Sequence, residues 1–262
     1  MVQSSDRQAI EALIPADAPT RPRALAVLDG VLTGQILTEG TARPGWALIV
    51  ETADGTVFCG GDPSVEAVRL ALASVTTESA DLIFGFNGPN DPVRQVLPSN
   101  PYYEGRAIDF TDRVAPADEA ELLARDAPEG LRLVELDAGL LPRTEWADDT
   151  IHAFGSAEAW SERGIGRCLL DGDEVVAQGM AGPRARALLE MGVWTRPSHR
   201  RRGLGLFVSL HAAVACEARG AAVWWNTNAD NAGSVGIARR NGFSTERRYD
   251  LVAYRTSDWP RG

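Results

Sequence analysis

Met191-Gly-Val-Trp-Thr-Arg-Pro-Ser-His-Arg-Arg-Arg-Gly-Leu-Gly-Leu206 encodes a strand, a turn and the start of a helix. An apolar, β-prone run ends at Thr195, a short polar turn follows, and Arg200-Arg-Arg-Gly-Leu-Gly205 opens an amphipathic helix. Leu204, Phe207, Val208, Ala212 and Ala215 recur at three- and four-residue steps, which predicts one apolar stripe laid on a sheet. Arg219 in the last turn and Gly220 beyond it mark the helix end.

A helix start leaves backbone N–H groups without intrahelical partners and turns the positive end of the macrodipole outward. Glycines at that point admit a ligand to the backbone, and Arg200, Arg201 and Arg202 add charge and forked donors, so a pyrophosphate is the natural guest. A solvated Arg-Arg-Arg-Gly turn would carry the same letters, and a short Gly-x-Gly alone does not separate the two.

The context separates them. Arg200-x-x-Gly203-x-Gly205 follows a strand ending Val193-Trp-Thr195 and precedes a strand Ala222-Val-Trp-Trp-Asn226, then Asn231-x-x-Ser234 and Arg240-Asn-Gly-Phe243. This series resembles the acyl-CoA-binding half of the GNAT N-acetyltransferase superfamily, in the family's order. Trp160 to Leu170, Glu190-Met-Gly-Val-x-Thr195 and Asn231-x-x-Ser-x-x-x-Ala238 further resemble the subgroup containing the zwittermicin-resistance acetyltransferases. The resemblance implies an α/β (α+β) GNAT fold, a mixed central sheet flanked by helices.

The rest of the chain fits that expectation. Residues 131 to 262 run β, α, α, β, β, β, α, β, α, β, and include a helical pair at Thr144 to Phe154 and Ala157 to Arg163, with Ser156 as a cap. Upstream, Gln8 to Ile14 and Arg23 to Leu32 read as short helices. Trp46 to Glu51 and Thr56 to Cys59 read as a hairpin turned at Ala53-Asp54-Gly55, and Asp62-Pro63 opens a helix to about Val75. Strand, short helix and strand follow at Asp81 to Phe86, Pro92 to Leu97 and Tyr103 to Phe110. That order repeats the C-terminal one, so residues 1–129 are expected to be a degenerate GNAT-like domain and residues 130–262 the acetyltransferase domain, joined through the acidic stretch Ala115 to Gly130. In the first copy Phe58-Cys-Gly-Gly-Asp62 has no arginine cluster and sets a carboxylate where a diphosphate would lie.

Charge divides in the same place. Residues 191 to 262 hold 11 arginines against 5 acidic residues, although the whole chain of 262 carries −10. An acidic body repels nucleic acid and draws a cationic amine, though it also serves solubility alone. All 26 basic residues are arginine, which removes a Schiff-base or Walker-type lysine. The three cysteines, Cys59, Cys168 and Cys216, have no metal-ligand spacing and fit reduced, buried thiols; their spacing to His152, His199 or His211 does not support a nucleophilic pair. No apolar run is long enough to cross a bilayer and no signal pattern opens the sequence, so a cytoplasmic protein without membrane or nucleic-acid partners is expected, its oligomeric state open.

What the resemblance implies for the site can be carried over residue by residue. The backbone of Val193, Trp194 and Thr195 would pair with the pantetheine arm of acetyl-CoA and offer donors to the oxyanion. Main-chain amides from Arg201 through Gly203, Leu204 and Gly205, with side chains of Arg200 and Arg202, would hold the pyrophosphate. Asn226 and Asn231 are pantetheine contacts or, for Asn231, a helix cap. Glu190, on the central strand, is the candidate base, because a carboxylate in an apolar run takes up a proton more readily than one in water; its other reading is a charge balanced by Arg184 or Arg186. The tyrosine that many members use to protonate the leaving thiolate falls here on Ala238; Ser234, water, or more distantly Tyr249 or Tyr254 could replace it. Trp224 and Trp225 alternate faces, one for the core and one for the cleft, and Trp160 and Trp194 are either ligand-stacking or core residues. The expected function is transfer of an acetyl group from acetyl-CoA to the primary amine of a small molecule, against two alternatives: a protein or peptide acceptor, and a non-catalytic CoA-binding module.

Overall fold

The computed structural model describes residues 4–40, 43–52, 55–75, 81–86 and 88–255. In chain order its elements are α1 (Ser4–Ala12), α2 (Arg21–Leu28), β1 (Gly34–Leu37), β2 (Trp46–Glu51), β3 (Thr56–Gly61), α3 (Val65–Ala73), β4 (Asp81–Phe86), α4 (Pro92–Val96) and β5 (Tyr103–Arg113). They continue with α5 (Glu119–Ala124), β6 (Leu131–Glu135), α6 (Ala147–Phe154), α7 (Ala157–Arg163), β7 (Ile165–Asp171), β8 (Glu174–Ala185), β9 (Leu188–Thr195), α8 (Leu204–Ala218), β10 (Ala222–Asn228), α9 (Ala232–Arg240) and β11 (Phe243–Arg255).

The chain forms two compact units, Met1–Ala107 with Arg247–Gly262, and Ile108–Glu246. The expected boundary at 129/130 therefore falls inside the second unit, and the chain passes between units within β5 and within β11. Such an exchange of strands is a product of long-range pairing, which local sequence pattern does not encode.

In the first unit the strands run β1-β2-β3-β4-β11. β2 and β3 form the expected antiparallel hairpin; its turn residues Ala53 and Asp54 lie outside the described residues. β4 pairs parallel to β3 and antiparallel to the last part of β11. Leu48, Val50, Val57, Val68, Leu72, Phe84 and Phe86 close the core under α3. That helix begins at Val65, after Pro63, because Ser64 caps it, accepting from the Ala67 N–H at 3.1 Å.

The second unit has the order β5-β10-β9-β8-β7-β6, with β10 parallel to β9 and antiparallel pairing from β9 through β6. One face is closed by α8 and α9 over Leu189, Met191, Val223 and Trp225. The other is closed by α6 and α7, where Trp160, Leu141, Cys168 and Met180 pack together. The result is the expected mixed sheet flanked by helices.

Three details depart from expectation. β9 starts at Leu188 and not at Arg186, where the sequence places the start of a strand reaching Thr195, because Arg186 takes a left-handed turn at φ 57°. α8 starts at Leu204 and not at Arg200: Pro197–His199 forms a single 3-10 turn, and Gly203 at φ 78° occupies the N-cap. β1 is short, and its residues Gly34-Gln-Ile-Leu37 gave no alternation long enough to predict it.

Candidate active site

The parallel ladder between β9 and β10 joins Leu188–Met191 to Ala222–Trp225 and goes no further. β9 continues through Gly192, Val193, Trp194 and Thr195, held on its other edge by Met180, Gly179, Gln178 and Ala177 of β8, and β10 continues through Asn226 to Asn228. A sheet that opens in this way leaves strand-edge N–H and C=O groups of 192–195 without ladder partners from β10, which suits an extended ligand lying as an extra strand.

Beyond Thr195 the chain turns into α8. Leu204, Gly205 and Leu206 are its first-turn residues, and its cap, Gly203, provides no side chain to meet their N–H groups. Arg200, Arg201 and Arg202 are all exposed around this mouth; Arg200 Nε donates to Thr195 O at 3.0 Å, and Arg201 is left-handed at φ 65°. Gly205 also has a packing role. A Cβ there would stand 3.0 Å from Ile237 Cδ1 and 3.3 Å from Thr195 Oγ1, so its missing side chain lets α8 approach β9 and α9. Gly203 has open space around it and is needed for its positive φ.

The face of the sheet away from α8 carries the polar groups. Leu189, Met191, Val223, Trp225, Ile108 and Phe110 project into the α8/α9 core, so Glu190, Gly192, Trp194, Trp224, Asn226 and Asp109 project the other way. Glu190 sits opposite Trp224 in register, half-buried, with Oε2 shielded from solvent. Both tryptophans of β10 are buried, Trp224 at 5% exposure and Trp225 at 1%, so neither lies open in a cleft. The Trp224 Nε1–H has no hydrogen-bond partner among the described residues. Trp160 is a core residue and Trp194 is half-buried.

Three residues on this face were not singled out from the sequence. Trp146, just before α6, lies over Gly192: its ring comes to 2.9 Å of where a Cβ on Gly192 would be. Gln178, fully buried, accepts from Glu145 N at 3.0 Å and so holds the approach to α6 in place. Asp109, 1% exposed on β5, accepts from Asn226 Nδ2 at 2.6 Å. The lone carboxylate between Ile108 and Phe110 was the available signal for the last of these.

On α9, Asn231 caps the helix by accepting from Ser234 N at 3.1 Å. The Ser234 hydroxyl accepts from Trp225 Nε1 at 3.0 Å. Ala238 is fully buried in the core, so the position where many family members carry a tyrosine holds no hydroxyl. Tyr249 and Tyr254 are residues of the first unit; Tyr254 donates to Pro98 O at 3.0 Å, and burial pushes its phenol above the ordinary range. All three cysteines are free; burial, with Asp91 adding to it, pushes the Cys59 thiol up to about 12, and burial alone does the same for Cys168. Among the described residues no cluster of His, Cys, Asp and Glu is arranged to hold a metal ion, and no helix is long and apolar enough to cross a membrane.

A mixed sheet that parts between two parallel strands, with a glycine-capped, arginine-flanked helix start beyond the parting, is the arrangement that the resemblance to the acyl-CoA-dependent GNAT transferases implies. The GNAT acetyltransferase family model matches residues 17–252, and the chain belongs to that family, whose members use acetyl-CoA. Solved structures show the same fold. A GCN5-related N-acetyltransferase-like protein of Streptococcus suis is 19% identical, covering 96% of this chain and 99% of its own, with a TM-score of 0.74. A GCN5-related N-acetyltransferase from Kribbella flavida is 14% identical, with 96% of each chain covered and a TM-score of 0.56. A tandem GNAT protein from the clavulanic acid biosynthesis pathway is 14% identical, covering 96% of this chain and 93% of its own, also at 0.56. No curated protein matches the chain.

Proposed function

We propose that the protein is a cytoplasmic, acetyl-CoA-dependent N-acetyltransferase that acts on the primary amine of a small molecule. The observation that carries this reading is the parting of β9 from β10 after Met191 and Trp225, with the start of α8 a few residues beyond. The pantetheine arm lies along Val193, Trp194 and Thr195. The pyrophosphate meets the amides of Arg201 to Gly205, with Arg200 and Arg202 beside it, and Asn231 and Asn226 border the arm. The resemblance to the zwittermicin-resistance subgroup favours an amine-bearing natural product over a protein N-terminus.

An alkylammonium near the lysine reference value of about 10.4 must lose a proton before it can attack. Glu190, on the face away from α8, accepts it directly or through water. The amine nitrogen then bonds to the thioester carbonyl carbon, and the oxyanion takes hydrogen bonds from the main chain near Val193 and Trp194, each such donor contributing roughly 2.7–4 kcal/mol in well-measured enzymes. The bonded nitrogen, now cationic, gives a second proton to water, and the C–S bond breaks. The thiolate leaves and takes a proton from water or from the Ser234 hydroxyl, which water then reprotonates. Two protons lost by the amine and one gained by the thiolate thus release one proton per acetyl group moved. Within the first unit, β2, β3, α3, β4 and α4 follow the order of β8, β9, α8, β10 and α9, which supports a degenerate second copy of the half-fold.

Thiol release from acetyl-CoA, with spermidine, tyramine, glycinamide and glucosamine as acceptors, tests the reading. Turnover of at least one amine is expected, and Glu190→Gln should lower kcat by roughly 100- to 10000-fold. A rate for that variant equal to wild type from about pH 6 to about pH 9 would remove Glu190 as the base. The buried Ala238 at the tyrosine position favours one rival, a non-catalytic acetyl-CoA-binding module. Calorimetric binding of acetyl-CoA with no turnover of any acceptor would establish it.

A further inference from the structure

With the pantetheine arm along Thr195, Trp194 and Val193, the acyl end of the donor points from the α8 mouth toward the end of the β9–β10 ladder. It comes to rest beside Gly192, the first residue of β9 past the pair Met191–Trp225. What surrounds Gly192 therefore decides how long an acyl group the site takes. Along the strands the ladder is closed at that pair. On the α8 side Leu189, Met191, Val223 and Trp225 pack a buried core. On the opposite face Cζ3 and Cη2 of Trp146 stand 2.9 and 3.1 Å from where a Cβ on Gly192 would be, so the apolar benzo edge of the indole, and not its N–H, lies over the main chain there.

The indole is held in that place from β8. Gln178 and Met180 share its face of the sheet, because Gly179 between them turns toward Val208 and Ser209 of α8. Met180 pairs with Gly192 and belongs to the buried cluster of Leu141, Trp160 and Cys168 against which Trp146 packs. Gln178, fully buried, accepts from the N–H of Glu145, the residue before Trp146, at 3.0 Å and gives its own amide N–H to Met180 Sδ at 3.3 Å. A ring fixed on one side by a packed cluster and at its root by a buried amide resists displacement by even one added methylene.

We propose that Trp146 sets the acyl length this enzyme accepts: its benzo edge is the end wall against the acyl methyl, so acetyl-CoA is used and propionyl- and butyryl-CoA are refused. The proposal rests on the acetyltransferase reading and deepens it. It also gives Gly192 a purpose, since any side chain there would push the wall away from the main chain that it closes.

Thiol release from acetyl-, propionyl- and butyryl-CoA, with the fastest of the four amines named above, is compared in wild type, Trp146→Ala, Trp146→Phe, Gly192→Ala and the Gly192→Ala/Trp146→Ala double variant. In wild type kcat/KM should fall roughly 10-fold or more for each added methylene. Trp146→Ala should raise kcat/KM for butyryl-CoA roughly 30-fold while that for acetyl-CoA stays within about fivefold. Trp146→Phe, a smaller retreat of the same wall, should admit propionyl-CoA before butyryl-CoA, and it keeps the test standing if Trp146→Ala does not fold. Gly192→Ala should lower the rate with all three donors, and the double variant should recover acetyl-CoA use, because the new methyl then occupies space the ring has left. A merely structural Trp146 would lose activity in the same proportion on every donor, and that result would overturn the proposal. A wild type that turns over butyryl-CoA as fast as acetyl-CoA, or a double variant whose losses simply add, would overturn it as well. A wild type silent with every amine and every donor would remove the acetyltransferase reading and this proposal with it, whereas an active wild type whose donor preference survives in both Trp146 variants would remove only the end wall.

Discussion

α3 and α8 occupy the same place in two similar runs of secondary structure, yet their starting turns are chemically opposite. Ser64 fills the donor end of α3 with its own hydroxyl oxygen, and Asp62 and Glu66 flank it with negative charge. α8 begins at a bare left-handed glycine among three exposed arginines. The strands before them differ as well. The main chain of Leu13 packs onto Gly60 of β3 so closely that a Cβ there would meet its carbonyl oxygen at 2.7 Å. The parallel pairing of β3 with β4 stops after Val57 and Phe84 among the described residues, so in both units a parallel ladder ends before its strands do. What distinguishes the second unit is which groups meet the helix start: a side-chain cap and flanking carboxylates at α3, a bare glycine and arginines at α8.

The strongest way to break this comparison is to reverse the charge at one of the two mouths. Replacing Arg200, Arg201 and Arg202 together by Glu is expected to raise the acetyl-CoA KM roughly 100-fold, read by thiol release, without lowering the Tm. An unchanged KM would mean that the phosphates bind elsewhere. A smaller effect should accompany salt: from about 0.05 M to about 0.5 M ionic strength the wild-type KM should climb several-fold, and the triple variant should lose that slope. At the other mouth, Ser64→Ala should cost about 1 kcal/mol of stability in denaturant unfolding and leave the acetyl-CoA KM untouched. If the KM moved with it, α3 would be a second cofactor site and the contrast would fail.

The smallest expected effect separates the two helices by pH. Burial, with Arg167 adding to it, holds the His211 imidazolium on α8 below the ordinary histidine range of 6.5. The unfolded chain therefore binds that proton more readily than the folded protein does, and the stability His211 allows at neutral pH declines as pH falls through about 6.5 toward the lower folded value. His211→Leu should flatten the fall of Tm between about pH 7 and about pH 5, measured by thermal unfolding. Parallel curves for the two proteins would show that the ring titrates without consequence for folding.

Much of the second unit could be read from the sequence because each signal there is local. Ser156 caps α7 as expected, accepting from Ala159 N at 3.1 Å; Gly220 is left-handed at φ 70° after α8; and Asn231 caps α9. Residues whose importance depends on distant partners were not legible. Nothing near Asp109 in the sequence announces Asn226, which is 117 positions away, and Gln178 meets Glu145 across 33. The packing role of Gly205 was hidden for a similar reason: its neighbours Ile237 and Thr195 belong to other elements. The division into units was hidden most completely, because it depends on where two strands pair.

β4 obtains its antiparallel neighbour from residues 250–255, the last part of β11. During synthesis, then, the portion of the chain translated first waits with one flank of its sheet uncovered until nearly everything else has left the ribosome. Cutting the gene in the acidic stretch near residue 125 would yield an amino-terminal fragment missing a staple and prone to pair with whatever strand it meets, a hazard of unpaired sheet edges generally. Expression as one uninterrupted polypeptide is thus built into the architecture, and a fragment strategy for crystallography or binding work should append residues 247–255 by circular permutation.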